Sequence, residues 1–392
     1  MIAKIRNNFT LIGKLGKAKN KDKKEVELTE ITSKTSKWKG FSFEAMINCG
    51  EDGNHRVKFF GGDNTKGKGF DDKTFKDGDN EFKVRYEDRN DPEELSKVKR
   101  VYKRTIKFLN GEIKEFIYQG EFVEYIAENI EMLSSLNLKL TGELELSLSN
   151  DKKVLYKKYS VNHIEEVEED EKPKARGTMQ LFYTANSVDR NLFDSQGKLN
   201  IPYLNDIGNK IALKCFIETR NQNKNLSMET IFYPIEVSLD MRNLDFTNDK
   251  HVRMANLMIK NFDVKDNNVY ATCWEAKFIN AQEIIQYTPE QIEQLLTPEE
   301  REYAELFGES VDEIIARKQG DNVYGDRINE TRIFKPNKNL PIKTEQPSVT
   351  VDMLEIYKSI ETEQKTEVLL EEKKETKKEK DIQEDEFEEL FG

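Results

Sequence analysis

The chain has 392 residues, a formal net charge of −12, 36% hydrophobic and 35% charged residues, a composition that suits two or three domains with separate cores. No apolar run reaches the length of a membrane span, and Met1 to Phe9 holds no signal-peptide core, so a cytoplasmic location is expected. Cys49, Cys215 and Cys273 are far apart and odd in number, which argues against a disulfide framework or a paired-cysteine zinc ribbon and leaves three reduced, buried side chains.

Residues 1–164 read as β-rich. Short alternating runs at 8–15, 40–47, 56–60, 81–86 and 138–148 are separated by Gly, Asp and Asn clusters. Phe122, Ile126, Ile130 and Leu133 recur at helical spacing and predict one helix over 120–136. Five strands closed into a barrel with one inserted helix is the inventory of an OB-fold. The acidic run 165–174, with Pro173, reads as a linker. Residues 175–286 start a second β-rich unit, with strands at 177–183, 210–217 and 228–237. A hairpin centred on Asp266 to Asn268 is expected to pair Leu257–Val264 with Val269–Ile279. A second OB-like barrel is expected there.

Capping-box patterns beginning at Thr288, Thr297 and Ser310 predict short helices over 287–336. Residues 337–392 read as a largely disordered acidic tail, interrupted by an amphipathic stretch carrying Met353, Ile356, Tyr357 and Ile360. The expected fold class is therefore mainly β: two OB-like barrels in tandem, short helices, then a disordered tail.

The charge is unevenly spread, with a net of +5 over residues 1–160 and −8 over residues 351–392. Residues 381–392 contain six acids and no base, yet carry Phe387, Leu390 and Phe391. Apolar side chains in an acidic terminus suit docking into another protein's pocket, so these three are the candidate partner-binding residues. A basic, aromatic front joined to such a tail is the layout of a nucleic-acid binder that recruits partners.

The nucleic-acid candidates lie in the first unit: Lys34, Lys37, Trp38, Lys39, Phe41, Phe43, Arg56, Lys58, Phe60, Arg85, Tyr86, Arg100, Tyr102, Lys103 and Arg104. Cations neutralise phosphates while flat rings stack on unpaired bases, a combination that suits single strands. An alternating strand must also send some of its aromatics inward, so part of this set belongs to the core. Trp38, between two lysines in a predicted loop, has the least reason to be packing. The second unit has a sparser version in Tyr183, Arg190, Phe193, Tyr203, Arg220, Lys224, Tyr233 and Trp274, most of them expected in the core or at its rim.

Enzyme patterns are thin. Asp263 with Glu275 and Lys277 matches the loose Asp and Glu-x-Lys arrangement of magnesium nucleases, a pattern that any solvated strand can show. Residues 61–69 lack the ending of a phosphate loop, and His55, His163 and His251 have no metal-ligand spacing. A non-enzymatic protein without metal or cofactor is expected.

With an OB-like barrel carrying basic and aromatic surface, and an acidic tail ending in Phe387, Leu390 and Phe391, the chain resembles single-stranded DNA-binding proteins of bacteria and bacteriophages. The resemblance implies OB-fold domains that coat single-stranded DNA and a tail that binds replication and recombination proteins. Bacterial tails of that family close on Pro-Phe, whereas this one closes on Leu390, Phe391 and Gly392. Its size, Lys/Asn/Glu-rich composition and second β-rich unit look more like a phage-encoded member acting in the host cytoplasm. A phage structural or assembly protein built of β interaction modules is the alternative, and a magnesium nuclease the next.

Overall fold

The computed structural model describes residues 7–20, 22–33, 36–66, 69–77, 80–148, 155–220, 230–285, 323–337 and 343–355, with residues 297, 298, 302 and 306. In the first half, β1 (Asn8–Lys17), β2 (Thr29–Thr32), β3 (Trp38–Asn48), β4 (Asn54–Lys66), β5 (Gly69–Phe70), β6 (Lys73–Asp77) and β7 (Asn80–Val84) precede α1 (Pro92–Lys97). There follow β8 (Arg104–Lys107), β9 (Ile113–Phe116), α2 (Gln119–Glu128), α3 (Ile130–Ser135), β10 (Asn137–Leu148) and β11 (Leu155–Glu166).

Five of these strands close a barrel. β1 pairs antiparallel with β10 and β3, β3 with β4, and β10 with β11, while β11 lies parallel to β4 at Tyr159 and Ser160. The strand predicted at 81–86 is not among them, because among the described residues β7 pairs only with β6, in a separate two-stranded sheet. β11, which the sequence reading did not pick out, supplies the fifth strand. The predicted helix over 120–136 is split into α2 and α3 at Asn129, whose side-chain amide donates to the Tyr125 carbonyl at 2.8 Å. Phe122 of α2 plugs the barrel against Phe59, with ring centroids 6.2 Å apart.

β1 serves two partners along one edge. Its first part, from Asn8 to Ile12, pairs with β12 (Lys174–Tyr183), whereas Lys14 to Lys17 pair with β3. The change falls at Gly13, where any Cβ would sit 1.8 Å from the Asn48 carbonyl oxygen, so only glycine lets the backbones meet.

The second half contains β12, α4 (Ile201–Asp206), β13 (Lys210–Arg220), β14 (Thr230–Asp240), α5 (Asp249–Lys260), β15 (Tyr270–Ile285), β16 (Val323–Pro336) and β17 (Thr344–Glu345). β12 meets β13 at Phe182 and Phe216, β13 pairs with β14, β14 runs parallel to β16, and β16 and β12 flank β15 antiparallel. This is the pairing order of the barrel, again with the third and fifth strands parallel and a helix between the third and fourth.

Three expectations change here. The first half of the hairpin arm predicted over Leu257–Val264 lies in α5: Asn248 caps that helix by accepting from the Lys250 N–H, Ala255 and Ile259 face the core four residues apart, and Leu257 is exposed. Val323 to Pro336, assigned to a helical stretch, is strand β16. Residues 343–355, assigned to a free tail, fold back: β17 pairs with Tyr270 and Ala271, residues 351–355 are helical, and Leu354 is buried. The capping boxes at Thr288 and Ser310 lie outside the described residues, as do Ile356, Tyr357, Ile360 and the whole of 381–392.

A buried acid joins the halves. Asp52 of the β3–β4 turn accepts from the Ala175 N–H at 2.7 Å, pairs with Lys277 at 2.6 Å and lies 3.7 Å from Arg176. Gly53, at φ +84°, lets that turn press against the Asn280 backbone. Cys49, Cys215 and Cys273 are all buried, and burial pushes the thiols of Cys49 and Cys273 up to about 12. Among the described residues, no helix is long and apolar enough to cross a membrane.

Candidate nucleic-acid interface

The alternation along β3 and β4 decides which aromatics can meet a ligand. Phe41, Phe43, Ala45 and Ile47 on β3 and Val57 and Phe59 on β4 fill the barrel. Phe41 and Phe43 therefore cannot touch a strand on the surface. Being two residues apart they share a face, and that face is the core. The opposite face carries Trp38, Gly40, Ser42 and Glu44 across from Asn64, Gly62, Phe60 and Lys58.

On this outer face Trp38 lies across two glycines. A Cβ at Gly40 or Gly62 would fall 2.3 or 2.4 Å from the indole, so these positions are the flat seat of the ring. Phe60, 44% exposed, stands beside it with centroids 6.1 Å apart and planes tilted by 33°. The Lys58 ammonium sits 5.4 Å from the Phe60 ring, and neither Lys58 nor Lys37 makes an ion pair among the described residues. Thr65 holds the Trp38 approach in place, donating both its N–H and its hydroxyl to the Lys37 carbonyl at 2.8 Å. Arg56 and Lys39 also belong to this region but are matched to acids, Arg56 with Glu44 at 2.8 Å and Lys39 with Glu30 at 2.9 Å. Lys34 lies outside the described residues.

Beside this face opens a cleft of about 790 Å³, lined by Trp38, Gly62 and Asn64, by Lys73 to Lys76 of β6, and by Val101 to Arg104. The structure thus brings Trp38 together with Tyr102 and Arg104, remote in sequence. Tyr102 is 43% exposed, donates to the Lys76 carbonyl at 3.2 Å and packs 5.5 Å from Phe75. The Arg104 guanidinium donates to the Val161 carbonyl at 3.2 Å, and burial lowers its pKa against the pull of Glu143. His163 accepts or donates to Thr105 at 2.9 Å; burial first, then Arg100 and Arg104, disfavours its protonation.

Of the remaining candidates Arg100 is exposed, and Lys103, Arg85 and Tyr86 are engaged within the fold. Lys103 is buried in an ion pair with Glu115 at 2.7 Å. Arg85 pairs with Glu87 and Asp88, each at 2.7 Å. Tyr86 packs against Phe70, Tyr118 and the Arg89 guanidinium while donating to Glu121 at 3.1 Å. In the second half Tyr183 and Trp274 are fully buried, with the Trp274 indole N–H bonded to Thr272 at 3.0 Å, and Lys224 lies outside the described residues. Asn64, Gln119, Asn162 and His163 also line the cleft. No sequence signal marked them, since they are ordinary polar residues on separate elements.

The nuclease pattern does not assemble. Asp263 pairs with Arg190 at 2.5 Å, Glu275 with Lys335 at 3.5 Å and Lys277 with Asp52. Among the described residues, no three His, Cys, Asp or Glu side chains are grouped as a metal site.

No protein-family model and no curated protein matches the sequence. Among solved structures, the wild-type single-stranded DNA binding protein from Thermus aquaticus overlaps at 9% identity and a TM-score of 0.24, covering 70% of this chain and 85% of that one. A deletion mutant of that protein overlaps at 8% identity and a TM-score of 0.26, covering 70% and 87%. Both overlaps are loose.

Proposed function

We propose that this chain is a non-catalytic single-stranded DNA-binding protein whose main contact surface is the outer face of β3 and β4. One observation carries the reading: Trp38 and Phe60 stand side by side on a strand face, with the Lys58 ammonium 5.4 Å from the Phe60 ring and the exposed Lys37 next to Trp38 in the chain, neither lysine making an ion pair among the described residues. Rings in that position stack on bases whatever their sequence, and cations beside them meet the phosphates. The matching pairing order of β12 to β16 supports reading the second half as another OB-like barrel, whose fifth strand, β16 at Val323–Pro336, lies beyond the 175–286 expected for that unit. In this reading the protein coats DNA during phage replication or recombination in the host cytoplasm, and Phe387, Leu390 and Phe391 recruit partner proteins. The tail's composition supports that last role.

Fluorescence titration tests the reading directly. Trp274 is sealed in the core, so quenching on addition of oligo-dT reports Trp38. Saturable quenching that weakens steeply with salt and is much smaller with duplex is the expected result; equal response to both, or none, removes the proposal.

A further inference from the structure

We infer that the cleft beside Trp38 is a base-reading pocket, which takes an unstacked base of the strand while the phosphates stay on the outer face of β3 and β4. This rests on the proposed function and adds selectivity to it. The cleft volume of about 790 Å³ falls in the range of pockets that enclose small ligands, so a base has room. Charge decides which part of a nucleotide enters. The lining sets Asp63, Asp71, Asp72 and Glu143 against Lys73, Lys76, Lys103 and Arg104. Most of these charges are already committed: Lys73 to Asp63 at 2.5 Å, Lys103 to Glu115 at 2.7 Å, and Asp72 to Lys83 at 2.9 Å. A phosphate finds no cation excess there, whereas Lys37 and Lys58 offer one outside.

The cleft instead offers planar and amide groups. Trp38 and Tyr102 contribute rings, and Asn64, Gln119 and Asn162 contribute side-chain amides that make no hydrogen bond among the described residues. An amide presents a donor beside an acceptor, the pattern that matches the edge of a base. The main chain fixes the Gln119 backbone at the cleft, its N–H donating to Asp63 at 2.9 Å, and leaves the side-chain amide available.

The test compares oligo-dT, oligo-dA and oligo-dC of equal length on the wild-type chain, on Gln119→Ala with Asn162→Ala, and on Trp38→Ala. The wild type should discriminate among the three by about fivefold or more, as one well-made amide-to-base contact provides. The amide variant should bring the three affinities to within about twofold without changing the salt dependence. Preference that arises from stacking alone would survive loss of the amides, and a spread unchanged in that variant overturns the inference. Equal wild-type affinities, with Trp38→Ala still weakening all three, overturn the pocket and leave the proposed function standing. If no oligonucleotide binds, both fall.

Discussion

The two strand cycles share a pairing order and differ in what covers their outer faces. On the first, Trp38 and Phe60 stand open beside Lys58. On the second, Phe182 and Phe232 meet edge to face at 4.9 Å, and with Val269 and Ala271 they are buried beneath Leu354, with Val349 and Met353 packed alongside. An outward aromatic is thus no evidence of binding by itself. Where the chain returns to cover it, the ring is core; where the chain leaves it open among unpaired cations, it is surface available to a ligand.

The joint between the cycles gives the largest effect. Asp52→Ala strips the Ala175 N–H and Lys277 of a buried partner, and should cost about 3 to 5 kcal/mol, read as a fall in the thermal midpoint. If the midpoint is unmoved, the two halves are not coupled through this acid.

Acid should separate the halves next. His55 is buried against Tyr159, with Nε2 3.1 Å from the Asp52 carbonyl, and burial pulls its pKa down to about 4. Its unfolded value is near 6.5, so between pH 6.5 and 4 the unfolded chain binds the extra proton. Stability from this group is complete above pH 6.5 and lost on descent to 4, by up to about 3 kcal/mol. In the second half Asp240, held down to about 2 by hydrogen bonding to Arg242, keeps its contribution above its unfolded value near 3.8 and loses it between there and 2. Amide exchange should therefore quicken first in β3 and β4, and only at lower pH in β13 and β14. Simultaneous loosening would sink the contrast.

Uncovering the second face is a smaller perturbation. Leu354→Ala should cost about 2 kcal/mol, the low end for a buried leucine because the patch lies near the surface, and should raise binding of an apolar dye. On the first face Trp38→Ala should weaken oligo-dT binding by about tenfold, toward the low end of the range for one stacked base, with the salt slope unchanged. Dye binding by the wild type equal to that of Leu354→Ala would mean that residues 343–355 do not cover the patch.

What was legible in the sequence follows from what alternation can say. β1, β3, β4 and β10 were visible because one face of each is continuously apolar. The same pattern misplaced β7, since alternation shows that a strand buries one face and not which sheet buries it. β11 was missed because its alternation, Tyr159 and Val161 between Lys158, Ser160 and Asn162, is short and falls out of step at the bulge that puts Ile164 on the core face. Trp38 and Phe60 could be chosen from sequence, whereas excluding Phe41 and Phe43 required the parity of β3. The cleft was invisible, as its lining comes from seven separate stretches between Trp38 and His163 that only the closed barrel and the β6–β7 hairpin bring together.

The smallest effect is also the most discriminating between the two faces. Lys58 borders the open Phe60 ring and the exposed Lys37 precedes Trp38; neither makes an ion pair among the described residues, so each can meet a phosphate without first giving one up. Replacing both by Ala should flatten the slope of log affinity against log salt by about 1.4, or 0.7 for each phosphate released. Lys39 and Arg56 are poorer choices, because removing either also frees Glu30 or Glu44 to repel the strand. The matching control is Lys214→Ala with Lys250→Ala, exposed cations of the second half. If that pair leaves the slope alone, the strand follows the first face only. If it flattens the slope equally, DNA runs over both halves, and the covered aromatics of the second mark a path built on phosphate contacts without stacking.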